Sequence, residues 1–362
     1  MLIDKKEIEK DFRNEIPALC EAFGPSGFEE DVATLIKSKI SSYNVQIQTD
    51  VLGNLIVHKK GTKKGKVLVS SHMDEIGLII RSIDENGFIW IETLGGFAMQ
   101  QFFGKKVLIK TDKGFVPGIV NSIHPGRPEG CKNIPESIHE FFIDVGVENL
   151  SEIEELGIEV GNPVSLCYPT IILGKNRIGG KALDDRALVF VLLEVLKLLE
   201  KSDDCYPDLY ALFSVQEEIG ARGAIVAATN IKPDYAIALD MSLSTDIPMS
   251  GRSEQINVLG KGASIKVMDK LSRGMAGIIS DKSIVAEMKR VAKTHNIPYQ
   301  IEAYAAGATD ASFMQTLNGG IKSGGIQIPM RYVHSYEVCD IRDVTYAVEL
   351  LYYYLCDGDF SL

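Results

Sequence analysis

Residues 209–240 read LYALFSVQEEIGARGAIVAATNIKPDYAIALD, and the order of residue types in this stretch decides the fold class. Leu209 to Val215 is an apolar run of strand length, a helix fits Gly223 to Thr229, and Tyr235 to Leu239 is a second strand-length run. Strand, helix and strand in succession make an α/β unit, whose strands run parallel because the helix carries the chain back.

The same rhythm continues outward. Downstream, helices are expected over Lys282 to His295 and Val344 to Leu355, with β segments at Gln300 to Tyr304 and Gly325 to Ile328 between them. Upstream, a helix covers Asp185 to Lys201, and Lys66 to Ser71 is a buried strand that runs straight into His72. Two short β segments, Val45 to Asp50 and Asn54 to His58, precede it. Two helices open the chain, and each carries the signature of a capping box, Asp4 with Glu7 and Ser26 with Glu29. Gly24-Pro25-Ser26-Gly27 supplies the break between them.

From about Gly77 the texture changes. GLIIRSIDENGFIWIE is a hairpin across Asn86-Gly87, and KKVLIKTDKGFVPGIV is another across Lys113-Gly114. The chain stays β-rich through FFIDVGVE and GNPVSL, and the α/β rhythm resumes near residue 172. The expected architecture is therefore a mixed, mostly parallel sheet flanked by helices, built from residues 1–75 and 172–362, with a β-rich domain inserted at 76–171. A chain of 362 residues accommodates two such units.

Composition narrows the partners. Subtracting 49 acidic from 38 basic residues leaves a formal charge of −11, which repels phosphate backbones and anionic membrane surfaces. Nucleic acid and membrane are both excluded on this basis. The longest apolar run, Ala187 to Leu199, is shorter than the ~20 residues a membrane helix needs and carries Glu194 and Lys197. The opening MLIDKKEIEKDFRNEI alternates charged and apolar residues, unlike a secretory signal, so the cytoplasm is the expected location. Cys20, Cys131, Cys167, Cys205, Cys339 and Cys356 are scattered without a Cys-x-x-Cys pair and read as reduced thiols.

In an open α/β sheet the functional crevice lies outside the carboxyl ends of the strands. Here those ends read Ser71-His72-Met73-Asp74, Ser214-Val215-Gln216-Glu217-Glu218 and Ala238-Leu239-Asp240. Two more clusters belong with them: Lys181-Ala182-Leu183-Asp184-Asp185-Arg186 before a long helix, and Tyr332-Val333-His334-Ser335 after the Gly325 strand. Imidazoles and carboxylates are the donors a divalent ion such as zinc takes, at roughly 2.0 to 2.2 Å. Five donors spread over the catalytic half suit two ions sharing one carboxylate, about 3.5 to 4 Å apart. In an extended segment His72 and Asp74 share a face, so Asp74 can accept the free ring N–H of His72 and set its tautomer. Glu217 and Glu218 point apart, which lets one bind metal while the other faces the substrate.

These residues resemble the M42 aminopeptidases, a family that includes glutamyl aminopeptidase and the tetrahedral cage peptidases. The landmarks are SSHMDEIG at 70–77, GGKALDDR at 179–186, SVQEEIGARGA at 214–224, ALDMS at 238–242, GATDA at 307–311 and RYVHSYEV at 331–338. Their order and spacing together are specific, and the match runs through nearly the whole chain. The resemblance implies that Asp184 bridges two divalent ions, that His72 and Asp240 complete one site, and that Glu218 and His334 complete the other. It makes Glu217 the general base and implies zinc first among the ions, with cobalt and manganese acceptable. It also implies short peptide substrates, whose free α-amine approaches one ion, and a homo-oligomer in which the β insertion dimerises and dimers build a tetrahedral cage. Ala263 and Leu183 depart from the commoner proline and phenylalanine without touching a ligand.

Plainer readings stand beside these. Asp185 precedes RALVFVLLEVL, where a helix N-cap belongs, and Asp310 reads equally as a cap or as support for the site. His58, His124, His139 and His295 read as surface or structural, and Glu152 to Glu155 as a solvated helix face. A glycosidase would need two carboxyls about 5 to 9.5 Å apart and no metal, which leaves the histidines without a purpose. A non-catalytic assembly protein would show broken ligands, and every expected position is filled.

Overall fold

A computed structural model describes residues 3–122, 135–248, 251, 256–270, 277–305 and 307–361. Helices α1 (Lys5–Glu21) and α2 (Glu30–Ile40) are followed by strands β1 (Gln46–Thr49), β2 (Leu55–Lys59) and β3 (Lys66–His72). Asp4 caps α1, its Oδ1 accepting the N–H groups of Lys6 and Glu7. The box expected from Ser26 and Glu29 does not form: α2 starts at Glu30 without a side-chain cap, because both side chains are drawn into bonds elsewhere in the molecule.

Strands β4 (Gly77–Ile83), β5 (Ile89–Leu94), β6 (Lys105–Thr111), β7 (Gly114–Ser122), β8 (Phe141–Asp144) and β9 (Pro163–Leu166) close into a barrel, with the short helix α3 (Leu150–Leu156) before β9. Both hairpins turn where the sequence requires, at Gly87 (φ +86°) and Gly114 (φ +122°). The barrel has its own core, including Leu78, Ile80, Ile91, Val107, Ile109, Val120, Phe141 and Val164.

The chain then returns through β10 (Ile171–Leu173), β11 (Arg177–Gly180), α4 (Leu183–Lys201), β12 (Asp208–Ser214), α5 (Arg222–Ile231) and β13 (Tyr235–Leu243). It ends with β14 (Ala263–Lys270), β15 (Gly277–Ile279), α6 (Lys282–Thr294), β16 (Tyr299–Ala303), α7 (Asp310–Met314), β17 (Lys322–Arg331), β18 (Glu337–Asp340) and α8 (Ile341–Asp357). The resulting sheet has 12 strands in the order β1-β2-β12-β3-β13-β17-β18-β11-β10, with β14 joined to β17 and carrying β15 and β16. It is mixed, as expected, but its parallel part is narrower than expected. The run β12-β3-β13-β17 is parallel, whereas β1, β2, β18, β11 and β10 pair antiparallel at the flanks. β1-β2, β10-β11 and β17-β18 are joined by short turns, which return the chain antiparallel, whereas β2-β12 and β11-β18 are antiparallel pairs of strands distant in the sequence.

Two apolar layers sandwich the parallel strands, and the period-2 alternation shows which side chain faces which. Val67 and Val69 of β3, with Ala211 and Phe213 of β12, join the larger core against α1, α4 and α8, where Phe12 and Phe190 meet edge to face at 5.1 Å. Leu68 and Leu212 face the other way, onto Ala224, Ala227 and Ala228 of α5. The strands therefore end in register, with Ser214 of β12 opposite His72 of β3, at the edge where the chemistry-bearing residues lie.

Candidate metal centre

His72 is the last residue of β3, and Asp240 lies near the end of β13. Asp184 and Asp185 arrive from another direction, on the first turn of α4, where both depart from helical geometry and their shared peptide is cis. That turn follows β11, whose Gly180 pairs with Glu337 of β18, so Asp184 and the His334 turn are delivered from one edge. Glu217 and Glu218 lie in the loop from β12 to α5.

These elements meet in two donor clusters. His72, Asp184, Asp185 and Asp240 offer ligand atoms within 4.8 Å of one another, and so do Asp184, Glu218 and His334. Asp184 is common to both: its Oδ1 lies 3.1 Å from His72 Nε2, and its Oδ2 lies 3.5 Å from His334 Nε2. His334 Nε2 is also 3.3 Å from Glu218 Oε2. The first cluster is buried throughout, and the second is half-open to solvent.

Such a concentration of buried acid is costly unless something positive joins it. Burial pushes the Asp240 carboxyl well up, and the charge on Asp184 pushes it further. Asp185 is raised in the same way, and its Oδ1 has no hydrogen-bond partner among the described residues. Burial also raises Glu217, as do the charges of Asp240, Asp310 and Glu218. On Asp184 burial acts in the same direction, but bonds from His334 and His72 outweigh it and hold the carboxyl below the ordinary range. Oxygen and imidazole donors, an acid shared between clusters and an orphaned carboxylate oxygen all fit divalent cations.

The surroundings fix these donors in place. His72 Nδ1 lies 3.1 Å from the Asp74 backbone oxygen and 3.4 Å from Asp74 Oδ1, so the main chain is its nearer partner. The Asp74 carboxylate mainly serves other groups, accepting the N–H of Glu217 at 3.0 Å and of Glu218 at 3.1 Å. His334 Nδ1 is 2.9 Å from the carbonyl oxygen of Gly96, after barrel strand β5. In both imidazoles a carbonyl takes the Nδ1 proton and leaves Nε2 to face the acids. Arg186, fully buried, donates from Nε to the Met73 oxygen at 2.6 Å and from a terminal nitrogen to the Leu19 oxygen at 2.6 Å, pinning the strand end between His72 and Asp74.

Several sequence-level expectations are displaced. Asp185 does not cap α4, whose N-cap position is Ala182; instead its Oδ2 accepts Ser71 Oγ at 2.5 Å and the His72 N–H at 3.1 Å. Thr309, not Asp310, occupies the cap of α7, and Asp310 is buried and accepts Ser214 Oγ at 2.8 Å. Glu337 was missed altogether. It is buried at the floor of the site and accepts the N–H of Asp184 and of His334, each at 2.9 Å. Its only sequence signal was an acid three places after His334 in an apolar strand. His58 and His295 stack on Tyr210 and Tyr353 and pair with Asp208 and Asp357, away from the cluster. His139 is 3.9 Å from Glu92 on the barrel, while His124 and Cys131 lie outside the described residues. No helix among the described residues is long and apolar enough to cross a membrane.

The sequence matches the family model of the M42 glutamyl aminopeptidases over residues 53–350. It is 31% identical to the lysyl aminopeptidase of Pyrococcus furiosus, over 92% of this chain and 93% of that protein. Among solved structures, an aminopeptidase of the archaeon Desulfurococcus kamchatkensis superposes with a TM-score of 0.90 at 34% identity, covering 96% of this chain and 95% of that one. The TET1 peptidase of Pyrococcus horikoshii, described as able to assemble into a tetrahedron or a large octahedral shell, superposes at 0.83 with 27% identity, covering 97% and 99%.

Proposed function

The chain belongs to the M42 peptidase family and is a peptide hydrolase, and from that premise we propose that it removes N-terminal residues from short peptides with the help of two divalent ions. What supports this reading is the position of Asp184 in both donor clusters. His72 and Asp240 would hold one ion with it, Glu218 and His334 would hold the other, and Asp185 would be a further donor to the first. Zinc is the expected ion, with cobalt or manganese accepted by the same donors.

When bound, divalent ions at these donors would supply an acidified water and a Lewis acid for the scissile carbonyl. Glu217 is placed to accept the proton of an attacking water and to pass it to the leaving amine. Its environment suits the task, because burial, with the charges of Asp240, Asp310 and Glu218, raises its proton affinity well above that of an ordinary carboxylate. Asp74 does not touch the substrate in this scheme; it holds the backbone of Glu217 and Glu218 and orients His72. The catalytic unit comprises residues 1–75 and 172–362, and the barrel unit, 76–171, serves dimerisation. Dimers assemble further into a closed particle in the cytoplasm.

Glu217→Gln keeps the shape and removes the base. Turnover of an aminoacyl-p-nitroanilide should fall at least about 100-fold while two ions per chain remain bound, read by elemental analysis. Chelation by EDTA should abolish activity, and added zinc, cobalt or manganese should restore it. Full turnover by Glu217→Gln, or by metal-free protein, would sink the reading.

A further inference from the structure

The segment Gly24 to Glu29 contributes no donor and lies upstream of the residues the family model matches, yet it is bonded to both strand ends that carry the chemistry. Pro25 forms a parallel bridge with Glu75. The Glu75 N–H donates to the Gly24 oxygen at 2.9 Å, and the Ser26 N–H donates to the Glu75 oxygen at 3.2 Å. Ser26 Oγ then donates to Asp74 Oδ2 at 2.5 Å. Glu29 reaches the other strand end: its Oε1 accepts the N–H of Gly27 at 2.7 Å and of Gln216 at 3.1 Å. Ser26 is 2% exposed and Glu29 is 5% exposed, so solvent does not compete for these bonds.

We propose that Glu29 is a positioning residue for the proton shuttle, acting through Gln216 as one arm of a clamp whose other arm is Ser26 on Asp74. The inference rests on Glu217 being the base. Three successive N–H groups, of Gln216, Glu217 and Glu218, are held by two carboxylates from elsewhere in the chain: Gln216 by Glu29, Glu217 and Glu218 by Asp74. The loop needs such anchorage because Gln216 has a φ of +57°, in the left-handed region that a residue with a Cβ avoids. Releasing the Gln216 N–H frees that residue to relax, and the next side chain along is Glu217. A shift of about 1 Å in a catalytic group is enough to slow a reaction about 100-fold.

Glu29 occupies the N-cap position of α2 but makes no capping bond to it, so the helix does not account for its burial. Both bonds it accepts fall on Oε1, and an amide retains that oxygen. Burial, with the charge of Asp74, also lifts its carboxyl to about 7, so near neutrality the oxygen matters more than full charge.

The test compares Glu29→Ala, Glu29→Gln and Ser26→Ala with Glu217→Gln in zinc-loaded protein, measuring kcat, KM, bound zinc and Tm. The expected result is a kcat lowered about 10- to 100-fold in Glu29→Ala at unchanged KM and zinc content. Glu29→Gln should recover kcat to within about threefold, and Ser26→Ala should lower kcat several-fold, as about one lost bond on Asp74 implies. Wild-type kcat in Glu29→Ala, a loss that merely follows zinc or Tm, or a Glu29→Gln as impaired as the alanine variant would each overturn the proposal. If Glu29→Ala does not fold, Ser26→Ala decides, since it removes one hydroxyl and leaves the helix intact; wild-type kcat there overturns the clamp. Activity in Glu217→Gln would instead remove the base assignment, whatever Glu29 does.

Discussion

Asp343 shows how a single buried carboxyl sets a pH dependence away from the metal centre. It is fully buried at the start of α8 and accepts the N–H of Gly260 at 2.6 Å and of Gly262 at 2.8 Å, pinning the loop that leads into β14. Burial raises its carboxyl from 3.8 to about 6, against the opposing pull of those N–H groups and of Arg177 and Arg342. A raised folded-state pKa favours the folded protein fully below the unfolded value, and that advantage is lost as pH climbs through about 6. Asp343→Asn does not titrate and keeps one acceptor oxygen. The stability difference between wild type and variant should therefore shrink between pH 4 and 7, by no more than about 3 kcal/mol, as denaturant unfolding at several pH values would measure. A gap that widens with pH would mean the N–H donors outweigh burial. The same contrast explains what could be read at residue level. His72, Glu217, Glu218 and Asp240 stood out because strand ends are visible as changes in apolar pattern. Asp185 resembled a cap because capping is judged from neighbours, whereas its partners, Ser71 and the His72 N–H, come from a strand far earlier in the chain. Glu29 misled in the same way: a capping box is local, and the Gln216 N–H that draws its side chain is 187 residues away.

At the scale of elements, long periodic segments were legible and short ones less so. The helices α4, α6 and α8 fall within a few residues of their expected spans, α6 and α8 because each buries an apolar face of helical period and α4 because its long apolar run is buried nearly all round. Strand direction at the sheet flanks was not legible, since apolar alternation is the same whether a neighbour runs parallel or antiparallel. The junction between β12 and α5 is tight, because after the loop carrying Glu217 and Glu218 the chain comes back to pack Gly223, on the first turn of α5, against Val215. Gly223 makes that possible. A Cβ there would lie 2.2 Å from Asn54 Oδ1, 2.5 Å from the Val215 oxygen and 2.7 Å from the Val215 nitrogen. Asn54 cannot simply swing aside, because its side chain accepts the Val215 N–H and donates to Asp50 and to the Gly223 oxygen. Gly223→Ala must therefore push backbone away from backbone, at a cost of about 1 to 3 kcal/mol or more. A fall in Tm of several degrees by calorimetry is expected, with kcat lowered too, because the displaced turn carries Glu217 and Glu218. An alanine variant as stable as wild type would show that the helix start has room the geometry denies.

For the whole molecule, the proposed association of copies has to overcome a formal charge of −11 on each chain. Like-charged surfaces repel, so an interface between copies is favoured on an apolar face with few acids. The barrel has one. On β7, Gly118 and Val120 are buried in the barrel, while Phe115, Pro117 and Ile119 point outward and are exposed, Phe115 by 52% and Ile119 by 45%. The register places Lys110, Leu108 and Lys106 of β6 along one side of the row, Lys110 being paired with Asp31 at 2.9 Å, and sets the exposed Asp144 of β8 beside Ile119 on the other. The apolar row, with lysines along one side and a single acid on the other, is a surface on which two copies would repel each other little. The barrel is also tied to the catalytic side through the Gly96 carbonyl on His334, so a contact on it need not disturb the sheet to be felt at the site. Ile119→Glu places an acid in the middle of the strip without removing a buried contact. Light scattering at micromolar concentration should show the variant at lower mass than wild type, with its Tm reduced only by the part that association contributes. An unchanged mass would move the contact off this face of the barrel, and the exposed Ile171, Ile172 and Leu173 of the edge strand β10 would become the next surface to break.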